Sequence, residues 1–92
     1  MKEKRNQDIL NEIWREEVAV SKMQDLKEQF ASGLGISFTS VDMRTNGRNA
    51  TNDFEFIMMV TILERVVNVE KWRTYINEIK SKYGIYSISE FK

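Results

Sequence analysis

The chain has 92 residues, with Lys and Arg totalling 14 and Asp and Glu totalling 14, and it contains neither Cys nor His. Balanced charge removes the overall field that would draw the chain onto nucleic acid or an anionic membrane. The missing Cys and His exclude disulfides, thiolate metal sites and the commonest general base, so no catalytic, metal or cofactor site is expected.

Residues 1–5 read as a charged leader that frays. Residues 1–9 carry no apolar stretch of signal-peptide length, and no segment approaches the roughly 18 to 20 apolar residues of a membrane span. A cytoplasmic protein without a membrane partner is the expectation. From Asn6 the pattern becomes helical: Ile9, Ile13, Val20, Met23 and Phe30 share one seam, flanked by Leu10, Trp14, Val18 and Leu26. The spacing predicts one helix over about 6–32, with Asp8, Glu12, Glu16 and Glu17 near its positive dipole end. These four carboxylates read as a solvated acidic face, because no E-x-x-H element accompanies them.

Gly33 and Gly35 end that helix by supplying a C-cap and a reversal. A connecting loop over 33–51 follows. Within it, residues 36–43 (ISFTSVDM) have strand-like composition, and Asn46-Gly47 is a strong hairpin-turn pair. Pairing of 36–43 with 54–60 gives an alternative α+β layout of helix, β-hairpin, helix. Against it, Asn52 and Glu55 have the spacing of a capping box, and Asp53 suits the first helical position.

Nothing between Asn52 and Tyr83 is Gly or Pro, and Phe54, Met58, Ile62, Val66, Val69, Trp72, Ile76, Ile79 and Tyr83 recur at steps of three and four. A second long helix over about 52–83 is predicted, with Asn68 as a place where it could break and recap. Gly84 stands at its C-cap, and 84–92 form an amphipathic tail. The sequence thus favours a single all-α domain, a long antiparallel helical hairpin.

Residues 54–63 (FEFIMMVTIL) are apolar on nearly every side, more than a two-helix hairpin can bury. Either the connecting segment folds over them, or a second copy does, or they form a strand. A homodimer closing a four-helix bundle is the economical choice. Phe54, Phe56, Ile57, Met58, Met59 and Ile62 are then the candidate interface, with Trp14 as a further anchor for a partner.

The order of charged amphipathic helix, glycine break, the segment ISFTSVDMRTNGRNATND, and a helix bearing Ile62-Leu63-Glu64 and the run Tyr75 to Lys80 resembles the N-terminal part of small late-transcription regulators of phages of Gram-positive bacteria. In that family a sigma-like helix-turn-helix domain follows, to which nothing in this sequence corresponds. The resemblance implies a phage or mobile-element setting and a helical interaction role rather than direct promoter recognition. A non-enzymatic regulator or inhibitor acting on a protein partner is therefore expected. Two alternatives are a nucleic-acid-binding accessory factor, using Lys71, Arg73, Lys80 and Lys82 with the loop residues Arg44 and Arg48, and a virion assembly component.

Overall fold

The computed structural model describes residues 4–84. Among them the regular structure is entirely helical: α1 (Asn6–Glu17), α2 (Val20–Leu34), α3 (Phe38–Thr45), α4 (Asp53–Glu64), a 3-10 turn (Glu70–Trp72) and α5 (Arg73–Lys82). The all-α expectation holds, whereas each predicted long helix is divided.

The first division lies at Val18 and Ala19, whose backbones are both extended. No glycine or proline marks it. Val18 turns inward and is buried, which lets α1 bury Ile9, Leu10, Ile13 and Trp14 while α2 swings away to bury Leu26 and Phe30. A β-branched residue gives up little helix propensity here, so packing decides. Val20, assigned to the seam by spacing, is left 82 % exposed.

The second division follows α4. Arg65 caps it in a helical conformation, the amide of Val67 donates to Leu63, and the side chain of Asn68 accepts from the amide of Glu70 at 2.9 Å. Asn68 is thus the recapping residue, and α5 folds back along α4. The helical ends otherwise follow their sequence signals. Asn52 and Glu55 form a reciprocal capping box, with Glu55 N donating to Asn52 Oδ1 at 2.8 Å. Gly35 (φ 67°) takes the left-handed position after α2 and donates its amide to Ala31.

The connecting loop predicted over 33–51 contains α3, capped by Ser37, whose hydroxyl accepts from the amide of Ser40. The β-hairpin alternative is therefore not formed, since 38–43 and 54–60 are helical and 36–37 lead into α3. Asn46-Gly47 closes the end of α3 instead, with Gly47 at φ 79°. The α3 helix is fixed to α2 by the Lys27–Asp42 ion pair at 2.7 Å and to α1 by Asn11 donating to Thr45 O at 2.9 Å. The tail expected over 84–92 lies, beyond Gly84, outside the described residues.

The α4 helix occupies the centre, with α1, α2 and α5 around its inner side. Phe56, Ile57, Met59, Val60 and Leu63 form that inner face and join Leu10, Ile13, Phe30 and Ile76 in the core. A polar cluster pins the three N-terminal ends together. Asn6, buried at the start of α1, donates to Thr51 O and to Asp53, and accepts from the Tyr75 hydroxyl at 2.6 Å.

Candidate functional site

Because α4 is apolar all round, burying its inner face leaves a second apolar row outside. Phe54, Met58 and Ile62 stand four residues apart on that outer side, and Val66 continues the spacing past the helix end. Phe54 is 65 %, Met58 38 % and Val66 53 % exposed, while Ile62 is half-buried. Phe54 stacks obliquely on Tyr83 with ring centroids 5.0 Å apart. The Tyr83 hydroxyl donates to Asp53 at 2.8 Å, which fixes the pair at the start of the row. Beside the row runs α2. At Gly33 an added Cβ would meet Met58 Sδ at 3.8 Å and Ile62 Cδ1 at 3.9 Å, so the glycine exposes the row where a side chain would cover its edge. An open groove of about 430 Å³ follows, with Asp25, Glu28, Gln29, Ser32 and Gly33 on one wall and Ile62 and Arg65 on the other.

The sequence-predicted interface therefore divides between two faces. Phe54, Met58 and Ile62 are brought together on the outer one. Phe56, Ile57 and Met59 lie within the chain's own core, Phe56 with its edge on Tyr75 at 5.5 Å. Trp14 is 7 % exposed and packs against Phe30 at 5.9 Å, below a second groove of about 470 Å³ also bordered by Arg15, Lys27 and Asp42.

Of the six predicted cations, Arg73 and Lys80 share Glu64 and the others lie beside different carboxylates or in the turn after α3. Each of five faces a carboxylate of its own chain: Arg44 meets Glu55 at 3.1 Å, Lys71 meets Glu16 at 2.7 Å, Arg73 meets Glu64 at 2.8 Å, Lys80 meets Glu64 at 3.4 Å, and Lys82 meets Asp53 at 3.7 Å. Lys80 is buried. Arg48 is exposed in the turn after α3.

Two carboxyls are held below the usual carboxylate range. For Glu12 the cause is first the Lys4 ammonium and then the indole N–H of Trp72, which donates at 3.0 Å; for Asp53 it is first the Asn6 amide and then the Tyr83 hydroxyl. The acidic residues of α1 diverge, Asp8 to Arg5, Glu12 to Lys4 and Glu16 to Lys71. Among the described residues no group of three or more His, Cys, Asp or Glu converges as a metal site would require. No described helix is long and apolar enough to cross a membrane.

The polar cluster of Asn6, Asp53, Tyr75 and Tyr83 was not singled out by sequence, because its members are as far apart as Asn6 and Tyr75. Comparison with protein-family models, with curated proteins and with solved structures gives no match to this chain.

Proposed function

We propose that this chain is a non-enzymatic binding protein that acts by covering a protein surface with the outer row of α4, Phe54, Met58 and Ile62. The observation that carries the proposal is the exposure of a large aromatic and a flexible methionine on one helix face, beside a glycine that leaves the row accessible. Scattered single apolar residues are ordinary on a surface, but a row at helical spacing, bordered by the charged groups Asp25, Glu28 and Arg65, has the layout of an apolar interface core within a polar rim. Methionine adapts its shape to a partner, and aromatic residues concentrate binding energy.

The partner class follows from charge. Affinity for nucleic acid comes largely from cations that neutralise phosphates. Arg44, Lys71, Arg73, Lys80 and Lys82 are already engaged by carboxylates, which supports a protein partner over a nucleic acid. The layout resemblance to phage late-transcription regulators supplies the setting, a small regulator or inhibitor that works by occupancy. Self-association through the same row, which would complete a four-helix arrangement, is the finer form of this proposal.

The test compares proteins captured from a lysate of the producing cells by the tagged chain and by the Phe54→Asp/Met58→Asp variant. Both positions are exposed, so circular dichroism is expected to be unchanged. At least one captured protein is expected to fall about tenfold or more, because each apolar side chain loses its burial and each new carboxylate would be desolvated. Equal capture by both chains would refute the proposal.

A further inference from the structure

We propose that this chain exchanges α1 with a second copy: α1 and α2 straighten into one helix, and α1 packs into the place that the other copy's α1 has vacated. The exchange is independent of the outer row of α4.

The connection between α1 and α2 is unlike the others. Gly35 and Ser37 mark the passage into α3, Gly47 and the Asn52 capping box the passage into α4, and Asn68 the entry to the 3-10 turn. Val18 and Ala19 supply no glycine, no proline and no capping side chain, and they alone separate the two helices. The amides of Ala19, Val20 and Ser21 find no acceptor among the described residues. In a continuous helix they donate to the carbonyls of Arg15, Glu16 and Glu17, four residues earlier. Alanine has the highest helix propensity, and the spacing of Ile9, Ile13, Val20 and Met23 keeps helical register across the break. Within the connection it is the burial of Val18 that favours the bend.

Straightening withdraws α1 from its own chain. Ile9, Leu10, Ile13 and Trp14, none more than 7 % exposed, then need equivalent cover. A second copy offers it, because the partners of α1 lie beyond the connection: Thr51 O and Asp53 for Asn6, Thr45 O for Asn11, and Lys71 for Glu16. Each contact re-forms between copies, which makes exchange a low-cost route to a dimer. The difference between the two forms then resides in the short connection, and chain concentration sets the balance.

Ala19→Pro separates the two forms. Ala19 has φ −67° and an unengaged amide, and Val18 before it is extended, so proline fits the bent connection. Inside a continuous helix it removes a hydrogen bond and clashes with the preceding turn. Refolded from urea at millimolar concentration, where a second copy competes with an intramolecular contact, the parent is expected to form a species of twice its 10.9 kDa mass. Ale19 is the hinge in this scheme, and Ala19→Pro is expected to dimerise at least about a hundredfold less tightly. The exchange itself is read by refolding an equal mixture of isotope-labelled and unlabelled parent chains. Carbodiimide joins ammonium and carboxylate groups in contact, and so couples Lys71 to Glu16 and Lys4 to Glu12, each pair 2.7 Å apart. In the dimer the 16–71 product is expected to join labelled to unlabelled chains, whereas the 4–12 product, carried wholly by the exchanged arm, stays within one chain. A parent that remains monomeric, a dimer whose 16–71 product lies within single chains, or an Ala19→Pro dimer as tight as the parent's would overturn the exchange.

Discussion

Phe56→Ala is expected to destabilise the fold by about 3 to 5 kcal/mol, whereas Phe54→Ala, two residues earlier on the same helix, is expected to cost the monomer under about 1 kcal/mol. Phe56 is fully buried and Phe54 is 65 % exposed. Truncating Phe56 opens a cavity at the centre of the core and removes the support of Tyr75, whose ring it meets edge-on at 5.5 Å. Through Tyr75 the loss extends to Asn6, which joins the starts of α1 and α4. A domain of this size has a total stability of only about 5 to 14 kcal/mol, so Phe56→Ala leaves a marginal fold. Urea unfolding followed by circular dichroism measures both variants. Equal losses at the two positions would contradict the division of α4 into an inner and an outer face.

Glu64→Gln is expected to cost about 3 kcal/mol and to lower the melting temperature by roughly 10 °C or more. Its carboxylate accepts from Arg73 at 2.8 Å and from Lys80 at 3.4 Å, and the Lys80 side chain is only 6 % exposed. Removing the negative charge takes from the buried Lys80 ammonium its carboxylate partner, while Arg73 keeps Glu70 at 3.4 Å. Lys80→Met is expected to be neutral or stabilising, because Met fills similar volume and no charge has to leave water. The double variant is expected to recover most of the loss. Thermal unfolding of the three variants decides the matter. If Lys80→Met proved as damaging as Glu64→Gln, the ion pair would itself be a net source of stability.

Local signals carried much of the architecture. The capping box at Asn52 and Glu55, the left-handed glycine after α2 and the recapping asparagine at 68 each act over four residues or fewer, so their chemistry is visible in sequence. The break at Val18 and Ala19 has no such signal, since the burial of Val18 against distant residues determines it. The seam shows the same limit. Phe54, Met58, Ile62 and Val66 fit one row, and Phe56, Met59, Val60 and Leu63 fit another on the same helix. Periodicity alone cannot say which faces inward. After the break the predicted seam does turn inward, with Val69, Trp72, Ile76 and Ile79 all buried. The surplus of apolar surface in 54–63 was legible, while the residues that carry it outside depended on how α1, α2 and α5 close over the other side.

Neighbouring methionines test the central claim, that α4 buries one apolar face and uses the other for association. Met58 is 38 % exposed and Met59 fully buried. Peroxide converts accessible methionine to the sulfoxide, and peptide mass spectrometry separates the two positions. In dilute solution Met58 is expected to oxidise at least about tenfold faster than Met59, and raising the chain concentration is expected to slow Met58 alone. Equal rates at the two positions, or a Met58 rate unaffected by concentration and by every captured partner, would contradict the account.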